Sequence, residues 1–301
     1  MITQEDYTLA GGVRIPKLGL GTWMIDDDKV AAVVRSAIQA GYRLIDTAQA
    51  YGNERGVGEG IRTSGRKREE LFVASKLAAE IKDYDAAVKA IDGTLLKMQL
   101  DYLDQMIIHA PQPWAEFRTD ANYDEGNLEA WRALEDAHRA GKVRVIGVSN
   151  FLKHDVENIL SHATVRPMVC QILAHVSNTP LEFIEWLKEH NMLVEAYSPI
   201  AHGEILKNEQ VALMASNYGV SAPQLCLRYL LQQGLLPLPK ATSADHIRQN
   251  AQLDFTISDE DMGTLKHIRR IDNYGDYSFF PVFGGKKSAD GKYKPGKPHT
   301  L

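Results

Sequence analysis

Short apolar segments rich in β-branched residues recur along the chain, and an amphipathic stretch follows most of them. Because most of these segments are near-continuous apolar runs, they are typical of parallel strands that helices cover. We therefore predict eight buried strands alternating with helices. The predicted strands are Lys17–Trp23, Tyr42–Thr47, Leu71–Leu77, Leu103–His109, Val143–Asn150, Met168–Ala174, Met192–Ser198 and Leu235–Lys240.

Polar residues and glycines between these runs predict where other elements begin. Asn127 is expected to cap a helix with a periodic apolar face, and Ser258 begins a capping-box signature for a late helix. Gly11 and Gly12 separate two short β-prone runs near the N-terminus. We expect a β-hairpin there that closes the bottom of the molecule.

Two α/β architectures are compatible with this alternation. A doubly wound dinucleotide-binding fold requires G-x-G-x-x-G after an early strand. The Gly-x-Gly segments that begin at Gly19 and Gly56 have Met24 and Ile61 in place of the third glycine. The eightfold repeat instead favours a (β/α)₈, or TIM, barrel.

The sequence contains no Pro- or Ser-rich linker that would divide it into two domains. We predict one barrel domain over residues 1–301 that begins with the N-terminal β-hairpin. From about residue 272 the chain is rich in Gly, Tyr, Phe, Lys and Pro and has no helical period. Residues 272–301 are therefore predicted to form an extended C-terminal tail.

Composition narrows the functional classes. The chain has 301 residues, 44% of them hydrophobic, and a formal net charge of −5, which argues against binding to nucleic acid or to an anionic membrane surface. Two cysteines are too few for a disulfide framework, and no apolar run of about 18 residues is present. No metal-ligand spacing such as H-E-x-x-H occurs. We expect a cytoplasmic protein without a metal, a membrane or a nucleic-acid partner.

Polar residues end nearly every predicted strand, where the active sites of barrels of this kind lie. A structural barrel has little reason to collect them at one rim, so we interpret them as a site. The residues are Asp46, Thr47, Lys76, His109, Ser149, Asn150, Gln171, Tyr197, Ser198 and Lys240, with Tyr51 in the loop after the second strand.

Four of these residues suggest a particular reaction. A tyrosine has an ordinary pKa of about 10, and a neighbouring lysine ammonium lowers it by stabilising the phenolate. Asp46 can supply the counter-charge that keeps a buried Lys76 protonated, and His109 can hydrogen-bond a polarised oxygen. Together with Tyr51 they predict a site that donates a proton to a carbonyl oxygen and needs a hydride source.

Five motifs then resemble those of the aldo-keto reductase superfamily. They are the segment from Asp46 through Tyr51 to Glu54, Lys76 and His109 at their strand ends, Gly147-Val-Ser149-Asn150-Phe151, Ala196-Tyr197-Ser198-Pro199, and Pro239-Lys240-Ala241. The resemblance runs from about Thr8 to Asn250. It implies a (β/α)₈ barrel that binds a nicotinamide dinucleotide without a Rossmann domain.

The resemblance also implies roles for single residues. Tyr51 would be the general acid in carbonyl reduction, Lys76 and Asp46 would tune the pKa of Tyr51, and His109 would orient the carbonyl. The implied cofactor-binding residues are Gly21, Thr22, Ser149, Asn150, Gln171, Tyr197, Ser198, Lys240, Ser243, His246 and Asn250. The implied substrate residues are Trp23, His109, Trp114, Phe279 and Phe280.

Cofactor choice depends on the segment after the eighth strand. In that segment, members of the family bind the 2′-phosphate of NADPH through a lysine, a hydroxyl group and an arginine. Lys240 matches the lysine, and Ser243 matches the hydroxyl group. His246 stands at the arginine position. The resemblance therefore implies a monomeric, NADPH-preferring carbonyl reductase or NADP⁺-dependent alcohol dehydrogenase, with NADH use possible.

Two other functions stay open on the sequence alone. The barrel could bind the cofactor without turnover and serve as a scaffold or regulatory subunit, as some members of the superfamily do. A different barrel enzyme, such as a sugar-phosphate isomerase, would not consume nicotinamide and would depend on a phosphate in its substrate.

Overall fold

The computed structural model describes residues 1–287 and 293–294. After a 3₁₀ turn at Ile2–Gln4, the chain forms an antiparallel hairpin of β1 (Asp6–Thr8) and β2 (Arg14–Pro16), as predicted. Eight parallel strands follow and pair in chain order in one sheet. They are β3 (Gly19–Gly21), β4 (Leu44–Asp46), β5 (Phe72–Leu77), β6 (Leu103–Ile108), β7 (Val143–Ser149), β8 (Val169–Leu173), β9 (Leu193–Tyr197) and β10 (Leu236–Leu238).

The sheet curls into a barrel whose first and last strands meet. The backbone N–H of Gly21 donates to the carbonyl of Pro239 at 3.0 Å, which brings β3 beside β10. Gly147 in β7 permits a similarly close approach, because a Cβ there would lie 2.4 Å from the carbonyl oxygen of Val169. The predicted (β/α)₈ barrel is confirmed, with each predicted strand containing an observed one.

The hairpin closes the N-terminal end of the barrel. Leu9 and Ile15 pack with inward-facing apolar side chains from the lower parts of the barrel strands, and the Tyr7 hydroxyl donates to the Leu235 carbonyl at 3.0 Å. The strand residues of this cluster are Leu44, Phe72, Ile107, Val145, Val169, Leu236 and Leu238. Two buried polar side chains, Gln105 and Glu195, lie beside this cluster, as register partners of Val145 and Leu236.

Ten α-helices accompany the strands in the described part of the chain. They are α1 (Asp27–Gln39), α2 (Glu54–Arg62), α3 (Tyr84–Met98), α4 (Asp124–Arg139), α5 (Lys153–His162), α6 (Leu181–Glu189), α7 (Glu209–Asn217), α8 (Ala222–Gln232), α9 (Ala244–Asn250) and α10 (Asp259–Lys266). Each pairs a buried apolar face with an exposed polar one, as Val30, Val34 and Ala37 show for α1.

One of the two predicted helix caps is correct. Ser258 caps α10, since its hydroxyl accepts from the N–H of Asp261 at 3.2 Å. The prediction for Asn127 was wrong, because α4 begins three residues earlier and Asn127 lies buried in its first turn. Its amide instead donates to the Pro111 carbonyl at 3.0 Å and accepts from Lys82 at 2.7 Å.

The C-terminal segment folds back on the barrel. Tyr274 is buried, and its hydroxyl lies 2.9 Å from Nε2 of His175, which follows β8. The segment is not extended throughout: it contains 3₁₀ turns at Gly275–Tyr277 and Pro281–Phe283 and a short pair of strands, β11 (Lys286–Lys287) and β12 (Tyr293–Lys294). The predicted tail over 288–292 and 295–301 lies outside the described residues.

None of the helices in the described ranges, 1–287 and 293–294, is long and apolar enough to cross a bilayer.

Candidate active site

A cavity of about 280 Å³ opens at the C-terminal ends of the barrel strands. Its volume is near the lower end of small-molecule pockets, which span about 300–1,000 Å³. Most of the predicted site residues line it. These are Gly21, Trp23, Asp46, Tyr51, His109, Trp114, Ser149, Asn150, Gln171, Tyr197, Ser198, Lys240 and Phe280.

Asp46, Tyr51, Lys76 and His109, named here the buried tetrad, meet at the base of the cavity. The strands β4 and β5 place Asp46 and Lys76 side by side, and the Lys76 ammonium donates to both Asp46 oxygens at 2.8 and 2.7 Å. A 3₁₀ turn over Gln49–Tyr51 brings the Tyr51 hydroxyl to 3.3 Å from the same ammonium. Lys76 also donates to the Thr47 carbonyl at 2.9 Å.

The electrostatics of the tetrad keep Lys76 charged. Burial lowers the pKa of Lys76, but Asp46 and Tyr51 outweigh that effect and the net direction is upward. Its side chain is only 1% exposed, so this cation is stabilised by the Asp46 carboxylate and not by water.

The proton of Tyr51 is held more tightly than the sequence predicts. Loss of solvation raises the pKa of Tyr51 above its ordinary value of 10, and Lys76 lowers it only in part. The expected net lowering is therefore not observed, because burial outweighs one nearby ammonium that Asp46 already neutralises. At neutral pH Tyr51 carries its proton and is available as a donor.

His109 faces the same space as a neutral imidazole. Its ring centroid lies 5.7 Å from that of Tyr51 at an interplanar angle of 73°. Burial, followed by the charge of Lys76, moves the pKa of His109 well below its ordinary value of 6.5. Within the described residues its Nδ1 is buried without a hydrogen-bond partner.

A polar ledge of amide and hydroxyl groups borders the tetrad. Asn150, at a positive φ of 61°, accepts from the Tyr197 hydroxyl at 2.6 Å and donates to the His109 carbonyl and to Ser149 Oγ. Because Ser149 Oγ accepts from Asn150, its own O–H can donate to another group. Gln171 Nε2 donates to Asp46 Oδ1 at 3.1 Å.

Aromatic rings surround the mouth of the cavity. The Phe280 ring centroid lies 5.3 Å from that of Trp23 and 4.9 Å from that of Trp114, and Trp114 lies 5.1 Å from His109. The C-terminal segment therefore reaches the rim on which the predicted substrate residues lie.

Five predicted contact residues do not line the cavity: Thr22, Phe279, and Ser243, His246 and Asn250 of the segment after β10. Thr22 is fully buried behind it, and its hydroxyl donates to the Asp46 carbonyl at 2.9 Å. Phe279 is half-buried beside Phe280, with ring centroids 6.4 Å apart. Thr22 positions the backbone at the end of β4 from behind the cavity.

Sequence reasoning missed part of the wall. His202 lines the cavity, stacks on Tyr277 with centroids 4.0 Å apart, and accepts or donates a hydrogen bond at 3.0 Å to Ser198 Oγ. Met24 and Phe283 also line it. The aromatic composition of the tail was a signal for Tyr277 and Phe283, whereas no strand-end pattern identifies His202.

The segment after β10 leads away from the cavity. Lys240 borders it, and Ser243 caps α9 by accepting from the N–H of His246 at 3.1 Å. The side chains of Ser243 and His246 are exposed, and Asn250 is buried. The neighbouring Arg248 is paired with Asp245 on the same helix.

Known proteins share this arrangement of elements. Residues 17–270 match the model of the aldo/keto reductase family. The chain belongs to the aldo-keto reductases. A glyoxal reductase of Bacillus subtilis is 38% identical over 274 residues, which cover 90% of this chain and 95% of that protein.

Two further aldo-keto reductase relatives widen the comparison. A methylglyoxal reductase of Escherichia coli K12 is 31% identical over 263 residues, which cover 86% of this chain and 92% of that protein. The crystal structure of a Bombyx mori aldo-keto reductase in complex with NADP superposes with a TM-score of 0.81 at 32% identity, covering 91% of this chain and 95% of that one.

Proposed function

We propose that this aldo-keto reductase uses NADPH to reduce small aldehydes and ketones to alcohols, with Tyr51 as the proton donor. The observation that carries the proposal is the Tyr51 hydroxyl, 3.3 Å from an ammonium that is ion-paired to Asp46, at the base of a cavity. A protonated tyrosine backed by a fixed cation is suited to give a proton to an oxygen that gains negative charge.

The polar ledge fits a nicotinamide. A carboxamide needs donors for its oxygen and acceptors for its NH₂ group, and its ring needs an aromatic or apolar wall. Ser149 has a free O–H, Gln171 lines the cavity beside it, and the Tyr197 ring forms part of the wall. When bound, the cofactor supplies a hydride to the carbonyl carbon. Lys240, Ser243 and His246 are the proposed ligands of its 2′-phosphate, with Gly21 and Asn250 along the cofactor.

The residues of the chain supply the other half of the reduction. Tyr51 releases its phenolic proton to the substrate oxygen, and Lys76 stabilises the phenolate that remains. Asp46 holds Lys76 in its charged form during this step. In alcohol oxidation the same phenolate takes the proton back.

His109 orients the carbonyl in this proposal. As a neutral imidazole it can donate one N–H to the substrate oxygen without bringing a second buried cation beside Lys76. The T-shaped contact between its ring and Trp114 limits its rotation. The carbonyl oxygen is thereby held between two donors, Tyr51 and His109.

The proposed substrates are compact carbonyl compounds, with 2-oxoaldehydes first among them. The cavity of about 280 Å³ limits size, and the relatives include proteins named glyoxal reductase and methylglyoxal reductase. Trp23, Trp114 and Phe280 are the proposed substrate walls, and Phe279 supports Phe280 from behind. Monomeric state and cytoplasmic location stay predictions.

The first test follows the absorbance of reduced nicotinamide with NADPH and NADH in parallel, over glyoxal, methylglyoxal, an aromatic aldehyde and a simple ketone. We expect consumption that requires both protein and carbonyl, faster with NADPH and with the two dicarbonyls. Binding of NADPH without consumption of any carbonyl would contradict the reductase proposal and favour a scaffold role. Neither binding nor consumption would favour a different barrel enzyme.

Replacing His246 by arginine is expected to strengthen NADPH binding. A guanidinium binds a phosphate through two parallel hydrogen bonds, whereas an imidazole offers one, so we expect the NADPH Kd to fall about 3- to 10-fold. The NADH Kd should not change, because NADH has no 2′-phosphate. Both are measured by fluorescence titration at fixed ionic strength.

The matched control for this change is His154→Arg. His154 is likewise exposed in the first turn of a helix, α5, but it lies outside the proposed cofactor site. Equal gains for both cofactors in the His246 variant, or a similar gain in the control, would contradict the assignment of His246 to the phosphate.

A further inference from the structure

Glu195 is a buried carboxyl group in the middle of the barrel. It lies on β9, 1% exposed, with Gln171 of β8 and Leu236 of β10 as its register partners. None of the ion pairs among the described residues includes it. A carboxylate without a cation at such a depth is costly, so its surroundings should explain how it is tolerated.

Two glutamine side chains bind one of its oxygens. Glu195 Oε2 accepts from Gln105 Nε2 at 3.0 Å and from Gln171 Nε2 at 2.8 Å. The same Gln171 nitrogen donates to Asp46 Oδ1 at 3.1 Å. A continuous series of hydrogen bonds therefore runs from Glu195 through Gln171, Asp46 and Lys76 to Tyr51.

The other oxygen of Glu195 has no partner. Glu195 Oε1 and Gln105 Oε1 are both buried acceptors without a hydrogen bond in the described structure. A proton on the carboxyl group would turn Glu195 Oε1 from an unsatisfied acceptor into a donor. The Gln105 amide, which already binds the other oxygen of this carboxyl group, offers its unpaired Oε1 as an acceptor. A protonated Glu195 also leaves Asp46 as the one carboxylate that balances Lys76.

We propose that Glu195 is a positioning residue that works as a neutral acid, holding Gln171 against Asp46, and that its ionisation slows carbonyl reduction. The kinetic part rests on the proposed function. The protonation itself is a property of the folded chain and can be tested without turnover.

Ionisation changes the network in two ways. A charged Glu195 binds the Gln171 NH₂ group more strongly and so competes with Asp46 for it. It also adds a second negative charge near Asp46, which holds the Tyr51 proton more tightly and makes Tyr51 a weaker acid. Both effects act against proton donation.

The groups around Glu195 set the range in which it titrates. Burial, and to a smaller extent the charge of Asp46, raises the pKa of Glu195, while Gln171, Gln105 and Lys76 lower it, and the net pKa is about 7. Cys170 on β8 stays a neutral thiol because burial, then Glu195, raises its pKa. The partner strand β10 presents Leu236, which does not titrate.

The sign of the stability effect follows from this. In the unfolded chain Glu195 has an ordinary carboxyl pKa of 4.5 and loses its proton at a lower pH than it does in the folded chain. The stability that Glu195 contributes is fully present below pH 4.5 and is lost as the pH rises through about 7. Glu195→Gln, a neutral isostere, should remove that loss.

The test compares thermal unfolding of wild type and Glu195→Gln between about pH 5 and pH 8, without cofactor. We expect the Tm of the variant relative to wild type to rise by about 5 °C across this range. In infrared difference spectra near pH 6, wild type should show a protonated carboxylic acid band that the variant lacks. A Tm difference independent of pH, or no such band, would overturn the protonation.

Glu135→Gln is the matched control. Glu135 is a buried carboxylate whose Oε1 accepts from the N–H groups of Thr164 and Val165 at 2.7 and 2.8 Å, so its charge is satisfied. This variant should be less stable than wild type, and the difference between its Tm and that of wild type should not change in its favour as the pH rises. A gain like that of Glu195→Gln would show that the effect is not specific to Glu195.

The kinetic arm measures kcat with saturating NADPH from pH 6 to pH 8. We expect wild type to slow about 3- to 10-fold over this range and Glu195→Gln to stay nearly flat. The same decline in both proteins would overturn the kinetic role. If wild type reduces no carbonyl at all, the proposed function fails, while the unfolding and infrared results still decide the protonation of Glu195.

Discussion

Tyr51→Phe is expected to lose about 10³-fold in carbonyl reduction, since a positioned general acid contributes about 10²- to 10⁴-fold. The variant keeps the ring but loses the hydroxyl group, whose oxygen lies 3.3 Å from Nζ of Lys76. No other side chain in the tetrad can replace it, because His109 is held neutral and Lys76 is locked to Asp46. Single-turnover oxidation of bound NADPH measures the loss directly.

A second tyrosine provides the control for this experiment. Tyr229→Phe removes a hydroxyl that donates to Thr179 at 3.1 Å; neither residue lines the cavity, so the change should leave turnover unchanged. NADPH affinity should stay within about twofold in both variants, because the proposed cofactor ligands do not include either hydroxyl. Turnover within about threefold of wild type in Tyr51→Phe would remove Tyr51 as the proton donor.

Asp46→Asn is expected to lower the free energy of unfolding by about 3–5 kcal/mol, the usual cost of breaking a buried ion pair by removing one partner. The Asp46 and Lys76 side chains are 6% and 1% exposed, so water cannot replace the lost carboxylate. Burial then lowers the pKa of Lys76 with opposition from Tyr51 alone, so the charged form of the lysine becomes less favourable. Carbonyl reduction should fall about 100-fold as a result.

Urea unfolding at pH 7 gives the stability change, and the assay with NADPH gives the rate. Asp92→Asn serves as the control because it breaks an exposed pair, in which Asp92 and Lys142 are 51% and 39% exposed at 2.6 Å. Exposed pairs contribute about 0–1 kcal/mol, so that variant should stay close to wild type. Equal destabilisation by both substitutions would mean that the Asp46–Lys76 pair has no special energetic role.

The strands and the tetrad were predictable because each rests on a local pattern. Apolar runs of strand length identify β5 and β6, and a polar residue at the end of such a run, such as Lys76 or His109, must face the rim once the strands form a barrel. The N-terminus of α4 was misplaced because Asn127 satisfies Lys82 and Pro111, contacts that depend on the folded chain.

Other features depend on distances that no pattern encodes. The direction of the Tyr51 pKa results from a balance between burial and Lys76, and only the depth of the site decides it. Glu195 lies two residues before Tyr197 in the same strand, yet its importance comes from Gln105 and Gln171 on other strands. His202 reaches the cavity because its loop turns through a positive φ of 53°.

The placement of the tryptophans has a practical consequence. The chain has four, and two of them, Trp23 and Trp114, form the cavity wall, whereas Trp131 and Trp186 lie on helices outside the barrel. Two of the four tryptophans therefore emit from a place where a bound molecule changes their surroundings, and the other two serve as an internal reference. The protein carries its own optical reporter, so occupancy of the cavity can be followed without labelling the chain.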